Sequence, residues 1–377
     1  MTSSTVYEQI GLSAPYVDEA EEEALLEVLR SGRLAFGPMI ERFERDFAER
    51  VGAPYVATVS SGTAGLHLCV KLAGISPGDE VVTTPLSFIA SANAIVYEGG
   101  IPIFVDVDER TLNLDPAAVE AAITPRTKAL VLVDLFGYPL AFDAFQEIAR
   151  GRGLAIVEDA CEALGATYRG RPVGSFGHPA VFAFYPNKQI TTGEGGAVAL
   201  QTEEEWALVK SLANQGRTDR GETFAHERIG YNYRLDELSA ALGVAQLQKL
   251  DRILELRDQV AARYDALLAD VEGIHLLCPD DEVYRRSWFV YVVFVDPPAK
   301  RSAVMARLAA EGIASKPYLP AIHLQPAYAE RFGFLPGMFP VAEAAGAQGL
   351  ALPFHTGLSS SDQERVVDVL ARALAAA

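Results

Sequence analysis

The sequence predicts an α/β protein: a large domain with a mixed, mostly parallel sheet flanked by helices, then a smaller C-terminal α+β domain. Three observations carry that expectation. Between residues 55 and 200, short apolar runs alternate with helical stretches, the rhythm of helix crossovers over a parallel sheet. From about 236 to 268 this rhythm gives way to a long amphipathic stretch. The 377 residues, 50% of them hydrophobic, can bury cores for roughly two to three domains. The division is placed at 1–250 and 251–377.

Each element follows from its local pattern. Leu25, Leu26, Val28 and Leu29 lie among acidic residues, and Ile40, Phe43 and Phe47 recur at helical spacing. The breakers Ser31-Gly32-Arg33 and Phe36-Gly37-Pro38 stand between them. Strands are expected at 55–59, 80–84, 101–105, 129–135, 154–158, 180–185 and 196–200, with helices at about 63–73, 87–97, 116–122 and 141–152. Leu238, Leu242, Leu247, Leu250, Leu254 and Leu256 place one continuous helix over 236–268. A strand at 288–295, a helix at 302–311, a Pro- and aromatic-rich segment at 317–340 and a closing helix at 360–375 complete the chain.

Composition excludes some functions. A formal charge of −18 argues against nucleic acid or an anionic membrane as main partner, since both need a basic surface. Cys69, Cys161 and Cys278 are odd in number and lack metal-ligand spacing, as reduced cytoplasmic thiols do. Without a basic-then-apolar leader or a long apolar run, a soluble cytoplasmic protein is expected.

Among seven lysines, Lys188 stands apart. Lys71, Lys210 and Lys249 fall on helical stretches, Lys128 and Lys300 in turns, and Lys316 before Pro317. Lys188 follows a buried-strand pattern and precedes Thr191-Thr192-Gly193-Glu194-Gly195-Gly196. It is either a turn lysine or a desolvated amine made nucleophilic by a lowered pKa. Glu158-Asp159 end a strand where open α/β sheets form their ligand crevice. A carboxylate there caps a helix, holds a metal or pairs with a cationic heterocycle. Metal fits least, because no His is near in sequence and Glu162 is the one close third ligand. Ser60-Ser61-Gly62-Thr63 closes a strand and opens a helix, which makes a simple N-cap or a phosphate site. P-loop and dinucleotide glycine spacings are both missing. Lysine, carboxylate and phosphate-binding helix start are together the requirements of pyridoxal phosphate.

At these residues the sequence resembles the DegT–StrS family of pyridoxal-phosphate sugar aminotransferases, of the type I, aspartate aminotransferase fold. The resemblance covers nearly the whole chain. It includes Pro77-Gly78-Asp79-Glu80-Val81, Phe88-Ile89-Ala90-Ser91-Ala92-Asn93, Phe104-Val105-Asp106-Val107-Asp108, Glu158-Asp159-Ala160 and Gly230-Tyr231-Asn232-Tyr233-Arg234-Leu235. It implies that Lys188 joins the cofactor covalently and that Asp159 partners the pyridine nitrogen. Ser61, Gly62 and Thr63 would hold the phosphate, Phe88 would pack on the ring, and Glu162 would stand beside it. Asn232 would reach the neighbouring subunit's phosphate, making a homodimer with shared sites. The implied reaction moves an amino group from glutamate to a nucleotide-linked keto sugar. C4 of a GDP-, dTDP- or UDP-linked 4-keto-6-deoxyhexose is the expected position.

Departures from the family pattern carry their own expectations. Ala183 stands where Ser or Thr is usual, so one phosphate hydrogen bond worth ~1 kcal/mol is missing or made by water. Glu162 replaces Gln or His, as in the subgroup making perosamine on a GDP-linked sugar. Asp134 stands where many members have His. His323 and Arg228 are the candidate substrate contacts, with a structural histidine as the alternative for His323. Arg217, Arg220, Arg228 and Arg234 are either solvated or bind a diphosphate. Trp288 and Tyr291 are expected in the small-domain core. Three rivals are weaker. A sugar dehydratase of the family carries His at the lysine position, a non-catalytic pyridoxal-phosphate-binding regulator needs a basic face or extra domain, and a nicotinamide oxidoreductase needs a glycine fingerprint.

Overall fold

Seven strands form the main sheet, in the order Tyr55–Val59, Gly196–Leu200, Ala180–Ala183, Ala155–Asp159, Thr127–Val133, Glu80–Thr83 and Ile101–Phe104. This computed structural model describes residues 9–217 and 225–376. Gly196–Leu200 runs antiparallel to both neighbours, and the remaining pairings are parallel. Strand side chains alternate between faces. Val56, Val82, Leu130, Leu132, Ile156 and Phe182 meet the helices Pro38–Val51 and Phe142–Arg152 on one face. Val59, Val81, Val131, Val157 and Val181 meet the helices Gly62–Leu72, Ala90–Tyr97 and Glu203–Ala213 on the other. With both faces covered, the strands read as unbroken apolar runs.

A second sheet orders Ile274–Leu276, Tyr291–Val295, Gly349–Leu352 and Lys316–Pro317, all antiparallel. Its core gathers Tyr264, Tyr291, Phe354, Val366 and Leu370, with Trp288 packed at its margin. Ile10, near the other end of the chain, joins the same core.

The single helix expected over 236–268 is two helices, Glu237–Gln248 and Leu250–Leu268. Lys249 leaves helical geometry at φ −112° and ψ 14°, and its ammonium is held by Glu21 at 2.7 Å and Asp18 at 2.8 Å. The break lets Ala240 and Val244 pack on the first core while Val260, Tyr264 and Leu268 pack on the second. Apolar periodicity carries straight through a one-residue break, so the sequence pattern does not register it. The strand expected from Trp288 begins only at Tyr291. The carbonyls of Trp288 and Phe289 instead accept from Arg257 Nη1. Arg220 and the first eight residues lie outside the described residues. Among those described, no helix is long and apolar enough to cross a membrane.

Candidate active site

The sequence-marked acids and turns gather at the C-terminal edge of the main sheet, because parallel strands all end there. Asp159 is the last residue of its strand and is buried. Its Oδ2 accepts from Ser91 Oγ at 2.6 Å and its Oδ1 from the Cys161 N–H at 3.2 Å. Ser91 belongs to the first turn of Ala90–Tyr97, and its hydroxyl also approaches the Phe88 carbonyl. That tie places Phe88, whose side chain is 59% exposed, beside Asp159 with its ring uncovered.

The Ser61 side chain caps Gly62–Leu72 by accepting from the Ala64 N–H at 3.1 Å. The Gly62 and Thr63 N–H groups are left as donors at the positive end of the helix. Gly62 has to be glycine. A Cβ there would lie 2.7 Å from Ala183 Cβ and 2.9 Å from Cys161 Sγ. Ala183, the departure noted above, therefore lines the same turn.

Lys188 Nζ stands 3.7 Å from Glu162 Oε1 and 3.9 Å from the centre of the Phe289 ring. Glu162 Oε2 accepts from the Phe136 N–H at 2.9 Å. Burial raises the Glu162 carboxyl above its ordinary value, against the pull of Lys188. Asp134 lies deeper, its Oδ1 accepting from the Leu140 N–H at 3.0 Å. Burial and the nearby Glu158 charge push its carboxyl well up. Glu158 is committed elsewhere, to the Gly174 N–H and His178 Nε2, each at 2.9 Å.

Lys188, Asp159, Glu162, Phe88 and the 61–63 turn are thus brought together. His323 is not. Its side chain is 0% exposed, with Nε2 bound to Glu343 at 3.0 Å and the ring edge-on to Phe339. This corrects its assignment as a substrate contact: it is a histidine of the interior. Arg228 is held by Ser211 and Glu227 on the loop after Glu203–Ala213, and Arg234 by Asn214 and Gln215. Asn232 is exposed.

Sequence reasoning missed three residues around the lysine. Arg257, from Leu250–Leu268, donates to the Lys188 carbonyl at 2.9 Å. Phe289 lies under the ammonium, and Tyr318, its hydroxyl pKa raised by burial and by the charge of Glu162, closes the same side. Among the described residues no cluster of His, Cys, Asp and Glu could hold a metal ion.

A lysine amine, a strand-end carboxylate, a phosphate-type helix start and an open aromatic ring on an α/β sheet are what a pyridoxal-phosphate enzyme requires. The Gly62 cradle and its two available N–H donors fit the cofactor's phosphate, and Asp159 fits its pyridine nitrogen. The chain belongs to the DegT/DnrJ/EryC1/StrS aminotransferase family, matched over residues 15–371. GDP-perosamine synthase of Caulobacter vibrioides is 39% identical over 370 residues, covering 97% of this chain and 98% of its own. The crystal structure of DesV from S. venezuelae superposes with a TM-score of 0.90 at 35% identity, covering 97% and 98%. A Streptococcus pneumoniae protein solved in its PLP form gives 0.93 at 28% identity, covering 98% and 99%. The chain is a pyridoxal-phosphate-dependent sugar aminotransferase.

Proposed function

We propose that the enzyme transfers an amino group from glutamate to C4 of a nucleotide-linked 4-keto-6-deoxyhexose, with a GDP-linked sugar of the perosamine route as first choice. The observation that carries this is the similarity to GDP-perosamine synthases, 39% identical from Caulobacter vibrioides and 35% from Escherichia coli O157:H7. Glu162 beside Lys188 supports the same subgroup. When bound, pyridoxal phosphate would supply an exocyclic carbon that carries the amino group from one substrate to the next and an electron-withdrawing ring that stabilises the carbanion.

The chain's own residues do the rest. Gly62 and Thr63 N–H groups bind the phosphate at the helix start. Asp159, steadied by Ser91, holds a proton on the pyridine nitrogen. Phe88 covers one ring face. Once released, Lys188 Nζ would take the proton from the α-carbon of the amino donor and pass it to the cofactor carbon, and with the sugar it would move a proton back from that carbon to the sugar carbon. Glu162 Oε1 stands 3.7 Å away and orients the amine between transfers. In this reading domain 1–250 carries the cofactor, and domain 251–377 closes over the lysine.

We further propose a homodimer in which Asn232 completes the phosphate site of the other copy. Asn232 is exposed, and Ile229, three residues earlier, is 91% exposed. Mixing Asn232→Ala with Lys188→Ala subunits tests it. Each parent is expected to be weak or inactive, and the mixed dimer holds one intact site, so activity should partly return. No return after verified exchange refutes the shared site. For the substrate, the test is a screen of GDP-, dTDP- and UDP-linked 4-keto-6-deoxy sugars with glutamate. The yellow protein should bleach on glutamate and recover its colour with the GDP-linked ketone. Recovery with another nucleotide alone overturns that choice.

A further inference from the structure

The residues on either side of Asn232 are clasped. The rings of Tyr231 and Tyr233 stack with centroids 4.9 Å apart and 10° between planes. Both stand against His67, at 4.8 Å and 5.9 Å. His67 Nδ1 meets Tyr233 Oη at 3.2 Å, and Nε2 meets Glu98 Oε1 at 2.7 Å. Glu98 also accepts from Tyr231 Oη at 3.3 Å and from Lys71 Nζ at 2.8 Å. Burial alone would raise the Glu98 carboxyl, but the hydrogen bonds from Lys71 and His67 outweigh it and hold the carboxyl low.

The backbone is fixed too. The Tyr231 and Tyr233 N–H groups donate to the carbonyls of Leu212 and Ala213 at 2.6 Å and 2.9 Å. The Tyr233 carbonyl accepts from the Ser60 N–H at 2.7 Å, one residue before the phosphate turn. In extended chain, successive side chains point to opposite sides. Holding residues 231 and 233 on the inner side therefore sets Asn232 on the outer one.

We propose that the Glu98–His67 clasp is a positioning device that presents Asn232 to the phosphate site of a second copy. This rests on the shared-site reading above. His67 is buried and Glu98 half-buried, and a polar network with its members satisfied favours one arrangement of the groups it joins. A rival role is local, because His67 sits on Gly62–Leu72, the helix whose first turn would hold its own subunit's phosphate. The two roles differ in which site loosens when the clasp is cut.

Glu98→Gln keeps the size of the side chain and removes the charge that its neighbours converge on. The measurement is the rate of cofactor loss, followed by the visible absorption of cofactor joined to Lys188. Hydrogen bonds to charged groups are worth enough that the Glu98→Gln homodimer should lose cofactor about three- to tenfold faster than wild type. In a mixed dimer of Glu98→Gln with Lys188→Ala subunits, the one absorbing site lies on the Glu98→Gln subunit. That site receives Asn232 from an intact clasp. Its release rate should match that of a wild-type/Lys188→Ala mixed dimer. Fast release in the mixed dimer, or unchanged release in the homodimer, overturns the proposal. Tyr233→Phe, which removes one hydroxyl, gives the same pattern with a smaller effect and serves if Glu98→Gln does not assemble. Asn232→Ala separates the two readings: wild-type retention in its homodimer refutes the shared site itself, and the clasp proposal with it.

Discussion

Arg257→Met should cripple catalysis while leaving most of the cofactor bound. Arg257 is 2% exposed, and its guanidinium donates to carbonyls. Nη2 donates to Lys188 O at 2.9 Å, and Nη1 to Phe289 O at 3.2 Å and Trp288 O at 3.4 Å. Burial pulls its pKa down to about 10, which leaves it cationic at neutral pH. Methionine fills the volume but orphans at least two buried carbonyls, at ~1–3 kcal/mol each. Relief of the buried charge offsets part of that, for a net loss of stability near ~1–3 kcal/mol. The catalytic effect is larger. Both Lys188 and Phe289, the residue under its ammonium, lose the donor that sets their backbone, and a ~1 Å misplacement of a reacting group costs roughly 10²-fold. The assay compares kcat at saturating glutamate with cofactor content by absorbance, alongside thermal melts. Expected are near-normal cofactor content, a modest drop in melting temperature and a kcat lowered about 10- to 100-fold, partly rescued in Arg257→Lys. A folded Arg257→Met enzyme with wild-type kcat, or one whose activity loss equals its loss of folded protein, refutes the argument.

Asp159→Asn should keep the fold and lose about 10²–10⁴ in rate, because a neutral amide does not hold a proton on the pyridine nitrogen. Near-normal kinetics would point to Glu162 as the acid facing the nitrogen, since Glu158 is occupied by Gly174 and His178. Ala183→Ser places a hydroxyl beside the Gly62 turn and should slow cofactor release about fivefold, from one added hydrogen bond; an unchanged release rate would mean that the hydroxyl does not reach the phosphate. Asp134→Asn bears on pH. Burial and Glu158 raise the Asp134 carboxyl above its ordinary 3.8, so the folded state keeps a proton that the unfolded chain loses, and stability falls as pH climbs through that window. Asparagine removes this slope. The melting-temperature advantage of the variant should therefore be greater at pH 8 than at pH 4, and a difference independent of pH would contradict the assignment.

What is legible in the sequence is what a short stretch of chain determines. Parallel strands buried on both faces announce themselves as apolar runs, and the residue that ends such a strand is at the crevice whatever follows it. Asp159 and the 61–63 turn were therefore identifiable with no knowledge of their neighbours. The helix Glu203–Ala213 is absent from the expected elements although its signal is present: Thr202 and Glu205 form a capping box just before Trp206, Val209 and Leu212. The break at Lys249 carries no such signal, and the groups that hold its side chain, Asp18 and Glu21, lie more than 200 residues away in the chain. The site divides along the same line. One wall consists of strand ends and helix starts from the main sheet. The other consists of Arg257, Phe289 and Tyr318, whose local patterns are fully accounted for as an amphipathic helix, the approach to a strand and an aromatic-rich loop. His323 shows the converse, a residue whose sequence neighbourhood suggests a substrate loop but whose ring is buried against Phe339 with Nε2 bound to Glu343. Membership of a site built at the meeting of two cores is a matter of distance across the fold. For such residues the sequence pattern reports the packing role, which is satisfied already, and leaves the catalytic one to the three-dimensional arrangement.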